Sequence, residues 1–368
     1  MTDQALFDLG DPSVMELIVP EVTVSPAPPL AAPTARLILP AGAPEEDWHA
    51  VRRAGIGGSD VAAILGLDKY RGPLHVYEAK HGRDLFTGNE ATEIGSEIED
   101  FVAGLFSKRS GMAVMDPPGT LVNVDRPWAL ANVDKFVLWD EETRAVAGPL
   151  ELKNRSEHQA AEWEDGEIPD APALQCHWYM AVGGWECGWV AALVGGNKLR
   201  WSRLERDEEM IGQLFEHCAA WYERHVLEGY PPEPGGLEST TELLAKLWSV
   251  KAETVGEVDV TEASALRARR AELKARAKAV GDELTAVENR MRQMAGEHSI
   301  VKADGKPAWT WKANGNFAPK QFTEAHPELA AQYTRMVPAI DTDLLKVEQP
   351  DIYAQFRARR LVVPAKGV

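Results

Sequence analysis

Cysteine is scarce in this chain, with only Cys176, Cys187 and Cys218 among 368 residues. Three thiols make no disulfide framework, and their spacings of 11 and 31 match no zinc or iron–sulfur ligand set. Apolar runs are also short. None approaches the roughly 20 residues that cross a bilayer, and the first residues do not read as a basic-then-apolar signal peptide. A reduced cytosol is the expected setting. Positive charge is in deficit, with 39 Lys and Arg against 57 Asp and Glu, and the net −18 argues against a nucleic-acid partner. What is present is a globular composition, 45% hydrophobic and 26% charged, long enough for two or three domains.

Residues 1–47 hold 8 of the 24 prolines, eight acids and one basic residue, Arg36. Such a segment buries too little apolar surface to offset its ordering entropy, so it reads as a disordered acidic tail. Residues 48–230 alternate helical and strand patterns, as in one α/β domain. The breaker cluster Tyr230-Pro231-Pro232-Glu233-Pro234-Gly235-Gly236 opens a linker over 231–240. The extension 241–368 begins its clear patterning with a helix over 261–295. There Leu266, Leu273, Val280, Val287 and Met294 recur every seven residues, as in helices that pair with another helix. Asp304-Gly305 marks a hairpin over 299–311, and a last helix and a basic strand over 357–363 follow.

Five segments carry chemistry. In Gly148-Pro149-Leu150-Glu151-Leu152-Lys153, strand alternation puts the leucines on one face and Glu151 and Lys153 on the other. A carboxylate beside an ammonium suits a site that binds a divalent metal and steadies charge developing next to it. A solvated strand face of alternating charge has the same pattern. Upstream, Asp134 interrupts the apolar run Trp128–Leu138. A hairpin joining the two strands puts both carboxylates on one edge, where a backbone carbonyl and water complete a Mg²⁺ site; on the spacing alone, an aspartate capping a turn is the favoured reading. A helix over 90–108 with Ile94, Ile98, Phe101, Val102 and Leu105 inward leaves Glu97 and Glu99 on its two borders, which periodicity does not separate. Gln175 and Tyr179 stand at i and i+4 on one side of a helix. Finally, Gly55-Ile56-Gly57-Gly58-Ser59-Asp60-Val61 is a glycine-rich loop leading to Ser59 as a helix N-cap. With Arg52 and Arg53 nearby it makes an anion site, but no Gly-Lys-Ser/Thr follows, so it is not a Walker loop.

In this order the segments resemble the phage recombinase exonucleases of the YqaJ type, including lambda exonuclease, a branch of the PD-(D/E)xK nucleases related to RecB-type nuclease domains. The resemblance covers residues 48–230. It rests on the Gly55–Val61 loop, Gly95-Ser96-Glu97-Ile98-Glu99, Asn132-Val133-Asp134, Glu151-Leu152-Lys153 and Gln175-x-x-x-Tyr179. It implies a restriction-endonuclease-like core, a central mixed sheet flanked by helices, with a helical and hairpin extension after it. It selects Glu99 over Glu97. It further implies a deoxyribonuclease that uses Mg²⁺, with Mn²⁺ able to substitute, held by Asp134, Glu151, the Leu152 backbone carbonyl and Glu99. Lys153 would orient water or stabilise the pentavalent phosphorus. Gln175 and Tyr179 would position the scissile strand, and Arg52 and Ser59 would bind a 5′ phosphate, favouring 5′→3′ digestion of double-stranded ends.

The resemblance also implies a phage or prophage protein in the cytoplasm of a bacterial host, a single-strand annealing protein as partner, and homo-oligomers such as rings. One departure is that Lys135 stands where the family usually has glycine. A structure- or site-specific endonuclease on the same core, and a non-catalytic DNA-binding recombination module, are the alternative readings. Basic residues between Leu266 and Val280, with Trp309 and Trp311, suggest a second DNA contact. Gln4-Ala5-Leu6-Phe7 is faintly similar to peptides that dock on bacterial sliding clamps.

Overall fold

The segment Cys187–Val194 is apolar or glycine at every position, the pattern of a strand buried on both faces, and the fold is built around it. The computed structural model describes residues 32–83, 88, 90–248, 255–335, 339–357 and 361. The chain divides into two compact units, Met1–Ser249 and Val250–Val368.

In chain order the first unit begins with β1 (Ala35–Pro40), α1 (Glu45–Ala54), α2 (Gly58–Ile64), α3 (Pro73–Lys80), α4 (Glu90–Glu97) and α5 (Glu99–Ser110). Four strands come next: β2 (Val114–Met115), β3 (Gly119–Asn123), β4 (Leu130–Ala131) and β5 (Lys135–Asp140). The unit closes with β6 (Ala145–Arg155), α6 (Asp170–Gly183), β7 (Cys187–Val194), β8 (Lys198–Glu205), α7 (Glu208–Trp221) and α8 (Glu238–Leu247). Five strands form one mixed sheet in the order β2-β5-β6-β7-β8. Only β6 and β7 run parallel, and α6 makes the crossover such a pair requires. A second sheet, β1-β3-β4, is antiparallel.

Period-two alternation divides the core. Trp189, Ala191 and Leu193 of β7 pack with Leu150, Leu152 and the α5 residues Val102, Ala103 and Phe106. Val190, Ala192 and Val194 face the other way, into a cluster with Trp178, Val61, Tyr77 and Trp221 from α6, α2, α3 and α7. The central mixed sheet flanked by helices, expected from the resemblance, is therefore present.

Several local expectations change. Residues 35–47 are not a tail, because Leu37-Ile38-Leu39 supplies enough apolar surface to add a strand. Ile38 and Leu39 are buried with Val122 and Leu130. Residues 1–31, with the Gln4–Phe7 peptide, lie outside those described. The proline-rich stretch after Tyr230 does not end the first unit, since α8 beyond it buries Thr240 and Leu243 and packs on α3. The helix expected over 90–108 is two, broken at Ile98. Its inward face is Val102, Ala103 and Phe106, while Ile94 and Phe101 are exposed, because the side touching the sheet decides burial. Gly57, not Ser59, caps α2, and the Asp60 carboxylate accepts the Gly57 amide at 3.1 Å.

The second unit holds α9 (Val260–Ala295), the hairpin β9 (Ile300–Ala303) and β10 (Lys306–Thr310), and the short helices α10 (Pro319–Ala325), α11 (Pro327–Tyr333), α12 (Thr342–Glu348) and α13 (Pro350–Gln355). Asp304 and Gly305 both have positive φ, as a two-residue hairpin turn requires. Leu266, Leu273, Val280, Val287 and Met294 of α9 are all exposed. Most of the basic strand expected over 357–363 lies outside the described residues.

Candidate active site

Strands β5 and β6 form the hairpin that the carboxylate spacing called for. Lys135 pairs with Leu150, which brings Asp134, just before β5, beside Glu151 and Leu152. The apolar run Trp128–Leu138 breaks at Asn132–Asp134 because β4 belongs to the second sheet and β5 to the first. Asp134 sits at that crossing, and its Oδ2 accepts the Leu152 amide at 2.7 Å. On β6, Leu150 and Leu152 point into the α5-side core, so Glu151, Lys153 and Arg155 point the opposite way. The Lys153 ammonium ion-pairs with Glu151 Oε1 and donates to Gln175 Oε1 at 3.1 Å. Gln175 in turn donates to the Tyr179 hydroxyl at 2.8 Å.

Of these groups Lys153 lines a cleft of about 1210 Å³, together with Glu99, Leu152 and Arg155. Glu99 faces the cleft within electrostatic reach of Asp134 and Lys153, whereas Glu97 is exposed and outside it. Burial, then the neighbouring Asp134, raises Glu151 to about 8, outweighing the attraction of Lys153. Burial and Asp134 likewise raise Glu99 to about 7, and burial raises Asp134. Three carboxylates crowd a site that only partly solvates them.

That crowding tests whether a divalent cation fits. Among the described residues no three His, Cys, Asp or Glu side chains converge tightly enough to hold a metal alone. The available set is two carboxylates, a backbone carbonyl and Glu99 at greater reach. Among the described residues the buried Glu151 Oε2 has no hydrogen-bond partner. An orphaned buried oxygen beside a second carboxylate is costly without a cation, and hard oxygen donors suit Mg²⁺. The residues fit the ion.

The same shift sets a pH dependence. A carboxyl raised from 4.5 to about 8 keeps its proton in the folded protein after the unfolded chain has lost it. Its stability contribution is full below about pH 4.5 and is lost as pH rises through about 8, at most about 1.4 kcal/mol per pH unit. Melting temperatures in EDTA are expected to fall between pH 5 and pH 8, and to fall less in Glu151→Gln. Equal slopes in the two proteins would remove Glu151 as their source.

The glycine-rich loop closes the site from α2. A Cβ on Gly58 would come within 2.7 Å of the Tyr179 ring and 3.0 Å of Gln175, so only glycine permits this approach. Arg52, stacked on Trp48, donates to the Ser59 hydroxyl at 3.4 Å. Beneath them Lys80 donates to Asp60 Oδ2 at 2.6 Å and to the Arg52 carbonyl at 2.7 Å, while Arg71 reaches Asp60 Oδ1 at 3.5 Å. Burial opposes ionisation of Asp60, but Lys80, Arg71 and Arg52 hold its carboxyl well below the usual range. Burial pushes the Lys80 ammonium down, and Asp60 only partly offsets it.

A family model, the YqaJ-like viral recombinase domain, matches residues 47–186. The protein YqaJ of Bacillus subtilis (strain 168) is 35% identical over 223 residues, spanning 60% of this chain and 68% of the relative. The chain belongs to the YqaJ-like viral recombinase family. The matched segment contains Arg52, Ser59, Glu99, Asp134, Glu151, Lys153, Gln175 and Tyr179. Among solved structures, the alkaline exonuclease LHK-Exo from Laribacter hongkongensis is 17% identical with a TM-score of 0.39, covering 55% of this chain and 100% of its own. A phage-related exonuclease from Haemophilus somnus 129PT is 14% identical with a TM-score of 0.35, covering 48% and 96%.

Two features of this YqaJ-like chain were hidden in its sequence. Lys135 does not pair with Asp134 or Glu151: its ammonium pairs with Asp100 and Asp116, and its backbone has no positive φ that would call for glycine. Tyr179 is 2% exposed, so it meets Gln175 rather than solvent. The Asp60–Lys80–Arg71 network was missed. Its sequence signals are an acid directly after Ser59 and a lysine at the end of the helix Pro73–Lys80.

Proposed function

We propose that this protein is a Mg²⁺-dependent DNA exonuclease that degrades linear duplex from 5′ ends in phage-type recombination. One observation carries this reading: Asp134 and Glu151 stand side by side on paired strands, Lys153 joins Glu151 to the wall of an open cleft, and a buried Glu151 oxygen has no hydrogen-bond partner among the described residues. Family membership supports it. Asp134, Glu151 and the Leu152 carbonyl would hold the ion, with Glu99 completing the set directly or through water. When bound, Mg²⁺ supplies a polarised phosphate and a more acidic water.

The chain's own residues do the rest. Lys153 places a positive charge where the phosphorane gains negative charge, or orients the attacking water. Gln175, fixed by the buried Tyr179 hydroxyl, holds the Lys153 ammonium in place, so Tyr179 is a positioning residue. Arg52, Ser59 and the amides at the start of α2 receive a terminal phosphate. The test compares linear 5′-phosphorylated duplex, linear 5′-hydroxyl duplex and closed circles in Mg²⁺. The first is expected to disappear fastest and the circle to persist. Efficient cutting of the circle would favour an endonuclease on this core.

A further inference from the structure

We propose that Arg155 and Tyr70 form a second nucleotide subsite in the cleft, Arg155 holding the phosphate next to the scissile one and Tyr70 stacking on a base. This rests on the DNA-cleaving reading of the same cleft. Strand geometry sets the position. Arg155 lies two residues beyond Lys153 on the same face of β6, so their backbone positions are about 6.6 Å apart along the strand, a step comparable to that between consecutive phosphates on a nucleic-acid backbone.

The Arg155 guanidinium is half-buried, and its described hydrogen bond goes to the Asn154 carbonyl at 2.9 Å. Nearby acids are engaged elsewhere: Glu151 with Lys153, Glu157 with Lys198, and Glu162 with Lys69. Asp68 accepts the backbone amides of Tyr70 and Arg71 at 2.6 and 3.0 Å. Among the described residues no carboxylate lies within 4.0 Å of Arg155, so a partly desolvated cation faces a cleft without a counter-ion. An anion from outside the chain satisfies it. Tyr70 lines the same cleft and is 69% exposed. The Asp68 turn holds its backbone, so the ring is presented to the cleft on a braced loop. An aromatic ring beside a phosphate-binding arginine is the pairing that single strands require.

The experiment measures binding of a short 5′-phosphorylated duplex to the full chain across a salt series, with Ca²⁺ in place of Mg²⁺. Arg155→Ala is expected to weaken binding and to lower the slope of log Kd against log salt by about one, the loss of one phosphate contact. Arg155→Lys should restore the slope without the full affinity. Tyr70→Ala should weaken binding roughly tenfold at unchanged slope, and Tyr70→Phe should match wild type. A wild-type slope in Arg155→Ala, or wild-type affinity in Tyr70→Ala, overturns the subsite. Wild-type protein that shows these binding effects yet never cuts DNA in Mg²⁺ overturns the nuclease reading and leaves the subsite standing. Absence of DNA binding by wild type overturns both.

Discussion

Lys153→Ala is expected to reduce Mg²⁺-dependent cleavage of linear duplex DNA by roughly 10²–10³-fold, the usual cost of removing one group aimed at developing charge. The side chain is held on two sides, by Glu151 and by Gln175, so in the proposed mechanism it would meet the reacting phosphate without reorganising. Glu151→Gln should be at least as damaging, for a different reason. It keeps the shape of a fully buried side chain but removes the charge that, with Asp134, would draw in the cation. Single-turnover rates on an end-labelled duplex, with a Mg²⁺ titration, separate the two. Excess Mg²⁺ should partly restore a variant that binds the ion weakly and should not restore Lys153→Ala. Gln175→Ala is expected to fall between wild type and Lys153→Ala, because it loosens the ammonium without deleting it. Full activity in both Glu151→Gln and Lys153→Ala would remove the site assignment.

The largest effect on stability is expected at Lys80. Its side chain is 4% exposed and that of Asp60 2%, so either partner alone is a buried charge. Lys80→Ala should cost about 3–5 kcal/mol, far more than an exposed pair such as Lys278–Asp282, which contributes less than about 1 kcal/mol. For a unit of this size that lowers the melting temperature by roughly 6–20 °C. The double variant Lys80→Met with Asp60→Asn should recover part of the loss, since no uncompensated charge stays buried. A functional consequence follows from the geometry. Lys80 also binds the Arg52 carbonyl, tying the end of α1 to the start of α2, so the variant should lose preference for 5′-phosphorylated over 5′-hydroxyl ends before it loses cleavage. Calorimetry and the end-preference assay read these two outcomes. A melting temperature within a degree or two of wild type would show that water reaches the pair.

Much of the site was legible in the chain because strand and helix periods are short-range facts. Alternation along 148–153 put Glu151 and Lys153 on one face, and the i, i+4 spacing put Gln175 beside Tyr179; both arrangements are found. The hairpin between Asp134 and Glu151 was likewise open to inference, since two strands this close in sequence pair most simply with each other.

What the sequence by itself determined, then, is the mixed α/β class, the order of the motifs and the local faces on which their side chains stand. It also set the charge deficit, which spared the cleft: Arg71, Arg83, Arg155 and Lys153 all line it. Only the tertiary structure decided the matters that depend on distant partners. It turned residues 35–40 from a tail into a strand, because β3 was there to pair with them. It broke the expected helix at Ile98, between Glu97 and Glu99, because the sheet covers one side of α5 alone. It drew Lys135 away to Asp100 and Asp116. It also buried Asp60 with Lys80 and set Arg155 in the cleft wall with no carboxylate partner among the described residues. Desolvation and charge pairing arise from what packs against a residue, and no local pattern along the chain encodes them.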